Sequence, residues 1–326
     1  MSAEFIRRSG SDQGLWSGGP TGLTNNRLVV CAYHNVGCRC IAELLRQGAE
    51  IALIFTHEDS PAEAIWFESV RELAGRHGIP YLTTDLNMPE NIELVKMIAP
   101  DFIFSFYYRT MINAELLEIP PGGALNLHGS YLPKYRGRVP VNWAVIKGET
   151  ETGATLHYMV AKPDAGDIVD QEKVAIAFTD TAIDVFQKVT DAAVTVLARS
   201  WPLLRAGIAP RIPMNLGDGS YFGGRKPADG LIDWTRSAIQ IYNLIRGVTH
   251  PYPGAFTFFE GKKVIIWQAW PVEGEGEPGK ILSQNPLLVG TGKGLLEIRS
   301  IQEEEKKEKY LTCSLTITGS FDITPS

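Results

Sequence analysis

Asn126 and His128 are two residues apart in the segment Ala124-Leu-Asn-Leu-His-Gly-Ser-Tyr-Leu-Pro-Lys-Tyr-Arg-Gly-Arg138. The apolar start of this segment predicts a buried strand, and the Gly/Pro residues after it predict a loop. Side chains i and i+2 of a strand share a face. A carboxamide and an imidazole therefore point the same way at the strand's carboxyl end. The first can donate a hydrogen bond and the second can carry a proton, which suits a carbonyl that must become a tetrahedral oxyanion. Such an imidazole needs an acid to hold one tautomer and favour its charged form. Asp164 and Asp167, in Lys162-Pro-Asp-Ala-Gly-Asp167, are the candidates. The same residues also read as an Asp-x-Gly turn, and the sequence leaves both readings open.

Other chemistries find little support. The remaining five histidines are His34, His57, His77, His157 and His250, and none forms an H-x-x-x-H or H-E-x-x-H pair. No metal site is expected. His157 reads as a structural strand residue, and His34 and His57 as possible cleft residues. The 4 cysteines are too few and too irregular for a disulfide framework or a zinc knuckle, so reduced thiols are expected. Tyr33-His-Asn-Val-Gly37 stands where a dinucleotide-binding Gly-x-Gly-x-x-Gly would follow the first strand, and no Walker loop occurs. Dinucleotide and triphosphate chemistry drop out, and with them acetyl or carbamoyl transfer from coenzyme A or ATP. A hydrophobic content of 44% with 21% charged residues is that of a soluble globular protein, and a net charge of -6 argues against a nucleic-acid partner. No apolar run approaches the roughly 18 residues of a membrane span, so a cytoplasmic location is expected. Residues 1–25, rich in Gly and Ser around Arg7 and Arg8, lack the apolar region of a signal peptide and are expected to be a flexible extension.

The elements that must position these residues follow an alternating pattern. Strands are predicted at Leu28–Tyr33, Ile51–Thr56, Tyr81–Thr83, Asp101–Phe106 and Gly123–His128, with helices at Val36–Gln47, Ala62–His77 and Pro89–Ile98 between them. This is an α/β pattern: a doubly wound, mostly parallel, Rossmann-like sheet. A helix at Pro140–Lys147, a strand pair at Thr152–Met159 and Ile168–Ala177, and a long helix at Thr181–Ala206 follow. Beyond a Gly/Pro-rich stretch come a helix at Arg236–Arg246 and short strands at Ala255–Phe259, Lys263–Ala269, Lys280–Ser283, Leu287–Gly290, Leu295–Ile301 and Tyr310–Ile317. These predict a small OB-like β-barrel. The expected organisation is a catalytic domain over residues 26–215, the OB-like domain over 216–318 and a tail over 319–326. Trp267 and Trp270 read either as exposed aromatics or as core.

Asn126-x-His128, Ser130-x-Leu-Pro133, Arg136-Gly137 and an aspartate, Asp164, 36 residues after His128 together resemble the folate-dependent formyltransferase family over about residues 27–318. Phe55-Thr-His57, Phe104-Ser-Phe-Tyr-Tyr-Arg109, Asn142-Trp143, Gly148-Glu-Thr-Glu-Thr-Gly153, Phe222-Gly-Gly-Arg225, Asp233-Trp234 and Pro251-Tyr-Pro-Gly254 are most similar to the branch that formylates UDP-4-amino-4-deoxy-L-arabinose for lipid A modification and polymyxin resistance. The resemblance implies 10-formyltetrahydrofolate as co-substrate and a nucleotide-linked amino sugar as acceptor. It implies that Asn126 and His128 stabilise the oxyanion and handle protons, and that Asp164 supports His128. It further implies that Thr110, Met111, Ile112, Val160, Ala161, Lys162, Pro163 and Asp164 line the folate pocket, and that Arg138 contacts folate or the acceptor's phosphates. Methionyl-tRNA as acceptor, or a dTDP-4-amino sugar, are the alternatives. In this branch the second domain either supports a homodimer or caps the first. Tyr131 stands where the family usually carries leucine, and a dehydrogenase half that accompanies this branch has no counterpart in the chain.

Overall fold

The computed structural model describes residues 26–60, 65–304, 309–310 and 319–321. Along the chain run β1 (Arg27–Ala32), α1 (His34–Arg46), β2 (Glu50–Phe55), α2 (Val70–Arg76), β3 (Tyr81–Leu82), α3 (Pro89–Ile98), β4 (Phe102–Phe106), α4 (Ala114–Leu117), β5 (Ala124–His128) and β6 (Arg136–Gly137). Then come α5 (Pro140–Lys147), β7 (Glu151–Tyr158), β8 (Ile168–Ala175), α6 (Ala182–Arg205), β9 (Tyr221–Phe222), α7 (Ala238–Val248), β10 (Ala255–Phe259), β11 (Lys262–Val272), β12 (Ile281–Gln284), β13 (Leu287–Gly290), β14 (Leu295–Glu303) and β15 (Lys309–Tyr310). The expectation for Tyr310–Ile317 lies largely outside the described residues, as does that for residues 1–25. No described helix is long and apolar enough to cross a membrane.

The chain forms two compact units. The first gathers residues up to Gly137 with Gly153–Val174 and Lys188–Tyr221; the second holds Arg138–Thr152, Ala175–Gln187 and residues from Phe222 onward. The central sheet has the order β3-β2-β1-β4-β5-β7-β8. Its first five strands are parallel, and β7 runs antiparallel to β5. From Leu28 through Ala32 every residue of β1 is fully buried, which accounts for its unbroken apolar run: a central parallel strand is covered on both faces. Trp201 of α6, also fully buried, meets Phe102 and Phe104 of β4 edge-on. Truncating an aromatic side chain so placed costs roughly 3–5 kcal/mol.

One predicted helix is shorter than its pattern. The reading of Ala62–His77 as a single helix is corrected to α2 at Val70–Arg76, capped by Ser69 Oγ accepting from the Glu72 amide. Residues 65–69 are not helical, and 61–64 lie outside the described residues. Trp66 and Phe67 explain the late start. Their rings pack against His34, with Phe67 stacked on it at 4.0 Å and also edge-on to Tyr33, so the segment is tied to the β1–α1 junction.

In the second unit α7 and the antiparallel sheet β10-β11-β14-β13-β12, with β15 on β14, enclose a core that includes the fully buried Trp234. This sheet stands where the small barrel is expected. Trp267 is buried and donates from Nε1 to Gln302 Oε1 at 2.8 Å, while Trp270 is half-buried against the core, so neither is an exposed aromatic. Helices α5 and α7 approach closely at Gly247, where an added Cβ would lie 2.5 Å from Ile146 Cγ1; Asn142 Nδ2 donates to the Gly247 carbonyl there at 2.9 Å.

Candidate active site

The antiparallel pairing of β5 with β7 sets Asn126 opposite His157 and His128 opposite Thr155. Directly opposed residues place their side chains on the same face, so four polar side chains share one patch. The loop after β5 is then folded back over His128. Thr155 Oγ1 donates to the Ser130 carbonyl at 2.7 Å and accepts from the Leu132 amide at 3.1 Å and from Gln171 Nε2 at 2.9 Å. Ser130 Oγ donates to the Lys134 carbonyl at 2.7 Å, and the Tyr135 amide donates to Ser220 Oγ at 2.9 Å. Tyr135 is held at φ 59, in the left-handed region, and its carbonyl accepts from His128 Nε2 at 2.8 Å. A carbonyl can only accept, so Nε2 carries a hydrogen and Nδ1 is the nitrogen left to face an acid.

That acid is Asp164. Its backbone is also left-handed, at φ 48. The loop can double back so tightly because residue 166 is glycine: a Cβ there would lie 2.0 Å from the Tyr158 carbonyl oxygen. Asp164 Oδ1 lies 3.5 Å from His128 Nδ1, 3.5 Å from His157 Nε2 and 3.4 Å from Asn126 Nδ2; Oδ2 accepts from the Gly137 amide at 2.8 Å. Burial pushes the Asp164 carboxyl up. The His128 charge, the His157 contact and the Gly137 amide outweigh it and hold the group well below the ordinary carboxylate range. Asp164 is thus ionised beside a nearly buried imidazole. Asp167 lies elsewhere in the same loop, where its carbonyl accepts from the Tyr158 amide at 2.9 Å and closes the β7–β8 turn.

Two loops of the first unit flank this cluster in sequence. Thr110, Met111 and Ile112 follow β4, with Ile112 packed on the core and Met111 59% exposed. Asn87 clamps this loop, donating from Nδ2 to the Met111 carbonyl and accepting the Asn113 amide on Oδ1, both at 2.8 Å. His57 Nε2 accepts the Arg109 amide at 3.0 Å and its ring stacks on Tyr108. Val160, Ala161, Lys162 and Pro163 form the loop from β7 to Asp164, with Val160 45% exposed. Arg138 opens the first segment of the second unit, where its amide donates to the Phe222 carbonyl at 2.9 Å. Among the described residues no group of three or more His, Cys, Asp or Glu side chains is arranged to hold a metal ion.

Residues 33–200 match the formyl transferase family, and residues 225–312 match the formyl transferase C-terminal domain. The chain belongs to the formyl transferase family. Solved structures of similar formyltransferase fold include the N-formyltransferase from Helicobacter canadensis in complex with folinic acid and dTDP-3-aminofucose, 18% identical over 85% of this chain and 99% of that one, with a TM-score of 0.66. A 4-N formyltransferase from Francisella tularensis is 21% identical over 75% of this chain and 98% of its own, with a TM-score of 0.63. HypX from Aquifex aeolicus in complex with tetrahydrofolic acid is 20% identical over 88% of this chain, with a TM-score of 0.59. The chain spans about half the length of the HypX structures, 45% of this one.

Within the candidate site the structure brings Asn126, His128 and Asp164 together, and adds His157 to them. His157 is missed by a reading that treats each histidine by its own neighbours. The signal that could have found it is the strand pairing: His157 is an even number of residues from Thr155 and Gly153 in a strand that must lie beside β5. Asn87 carries no local signal, because its partners are 24 and 26 residues away.

Proposed function

We propose that this formyltransferase moves the formyl group of 10-formyltetrahydrofolate to the 4-amine of a nucleotide-linked amino sugar, with UDP-4-amino-4-deoxy-L-arabinose as the acceptor. The observation that carries the chemistry is the ionised Asp164 oxygen facing Asn126 Nδ2 and His128 Nδ1 at 3.4 and 3.5 Å. It joins an amide donor to the His128 imidazole. The folate assignment is supported by the relatives solved with folinic acid and tetrahydrofolic acid. The exposed apolar side chains of Met111 and Val160 suit the flat face of a pterin. Thr110, Ile112 and Ala161 to Pro163 complete that lining, and Arg138 is assigned to an anionic group of folate or acceptor.

In the proposed reaction the acceptor amine attacks the formyl carbon, and the carbonyl electron pair moves onto oxygen. An Asn126 Nδ2–H stabilises this oxyanion, together with His128 from its Nδ1 side, where Asp164 lies 3.5 Å away in the free site. The ammonium proton passes to the folate N10, through His128 or a water molecule. The C–N10 bond then breaks with its electron pair on N10, leaving tetrahydrofolate and the N-formyl sugar. An oxyanion donor is worth about 2.7–4 kcal/mol and a positioned acid/base roughly 10²–10⁴ in rate.

A dTDP-linked amino sugar is the second reading, favoured by the Helicobacter relative solved with dTDP-3-aminofucose. Incubating the protein with formyl-folate and a panel of UDP- and dTDP-linked 4-amino sugars, read by mass spectrometry, tests both. Gain of one formyl group on the UDP-pentose is expected; formylation of dTDP sugars alone replaces the acceptor, and no formylation of any sugar rejects the reading.

A further inference from the structure

Three nitrogen atoms crowd one oxygen in this site. Asp164 Oδ1 is 3.4–3.5 Å from Asn126 Nδ2, His128 Nδ1 and His157 Nε2. Two charged imidazoles sharing one carboxylate oxygen would repel each other. Their other nitrogens separate them. His157 Nδ1 is 2.8 Å from the Tyr158 carbonyl, which only accepts, so Nδ1 carries the hydrogen. In the neutral ring Nε2 is then a bare lone pair. Its shortest side-chain contact is Asn126 Nδ2, an amide nitrogen that only donates, at 3.2 Å. His128 is arranged differently: its Nε2–H donates to the Tyr135 carbonyl, and Nδ1 faces the carboxylate at 3.5 Å. A lone pair at that position would oppose Asp164, whereas a proton there completes an ion pair.

We propose that His157 is a positioning residue, held as the neutral Nδ1–H tautomer, that fixes the direction of the Asn126 carboxamide and leaves Asp164 to His128. With Nε2 as acceptor, one Asn126 N–H is directed to His157, and the other, which meets Asp164 Oδ1 at 3.4 Å in the free site, is the one an arriving oxyanion takes over. Rotating the carboxamide by half a turn would set its oxygen against the His157 lone pair and Asp164 Oδ1, acceptor facing acceptor. His157 therefore makes the unproductive amide orientation unfavourable before substrate arrives. This is the electrostatic preorganisation on which oxyanion stabilisation depends. A residue that merely filled this space, where His157 is 1% exposed, would not need an acceptor at Nε2.

The kinetic half of the test rests on the formyl-transfer reading; the spectroscopic half does not. Imidazole 15N NMR of the substrate-free wild type at neutral pH is expected to show His157 protonated on Nδ1 only. His157 protonated on Nε2 overturns the proposal. In the formyl-transfer assay, His157→Leu is expected to lower kcat by about 10–100-fold, with KM for both substrates changed less than about 2-fold. His157→Gln, whose Oε1 can accept the same Asn126 N–H, is expected to recover most of that loss. An unchanged kcat in His157→Leu, or equal loss in the two variants, also overturns it.

Discussion

Asn126 and His128 are placed by the simplest rule of strand geometry, but what they can do is set by atoms outside the strand. The Tyr135 carbonyl takes the His128 Nε2 hydrogen, and Asp164 meets Nδ1. Asn126→Ala and His128→Ala are each expected to lower kcat by about 10²–10³-fold while leaving the thermal unfolding midpoint within a few degrees; near-normal turnover in either would remove that residue from the chemistry. Asp164→Asn removes the carboxylate 3.5 Å from His128 Nδ1 and is expected to lower kcat as well. The direction in pH matters for the stability signature of this carboxylate. Its pKa is lowered on folding, so its contribution is present above the ordinary aspartate value of about 3.9 and is lost as pH falls through the folded one. Urea titrations should therefore find the stability gap between wild type and Asp164→Asn widest near neutrality and closing in acid. A gap that stays constant with pH would contradict the ion-pair account.

At the scale of elements, the strands and helices of the first unit were legible because each buries one continuous apolar run or one stripe. The β1 strand is the clearest case, with no exposed residue from Leu28 to Ala32. The segment before α2 was not legible. Its apolar residues have helical spacing, yet Trp66 and Phe67 use their rings against His34 and Tyr33 instead of continuing a helix. The choice of Asp164 over Asp167 came from the family resemblance and not from local pattern, because it depends on the left-handed backbone at 164 and on the absence of a Cβ at 166. Thr155 joins β7 to the loop that carries the Tyr135 carbonyl through two hydrogen bonds of one buried hydroxyl, which also accepts a third from Gln171 of β8. Thr155→Val strands those partners without changing volume much, and a loss of about 1–3 kcal/mol in urea unfolding is expected, together with a fall in kcat as His128 loses its fixed carbonyl. Equal stability of the valine variant would show that the loop is held by other contacts.

For the whole molecule, the sign of the charge separates the two acceptor classes. A tRNA acceptor calls for phosphate contacts from a basic surface, and the chain carries a net charge of -6. Charged initiator tRNA offered beside the amino sugar is therefore expected to remain unformylated at physiological salt; efficient formylation of the tRNA would reverse the acceptor assignment. The two units also show how far sequence order departs from spatial order. Arg138–Thr152 and Ala175–Gln187 cluster with the residues from Phe222 onward, although they interrupt the first unit in the chain. Within the second unit this is carried by contacts such as Asn142 to the Gly247 carbonyl, which link residues more than a hundred positions apart.

By itself the sequence determined the alternation of strands and helices, the shared face of Asn126 and His128, and the lack of a phosphate-binding glycine loop. All three follow from short-range periodicity and local backbone chemistry. Only the tertiary structure decided that His157 stands opposite Asn126, that Asp164 has one oxygen within 3.5 Å of three nitrogens, and that the His128 Nε2 hydrogen is taken by Tyr135. Those depend on the register of an antiparallel pair and on two left-handed loop residues, and hydrogen-bond partners chosen by register leave no trace in local spacing.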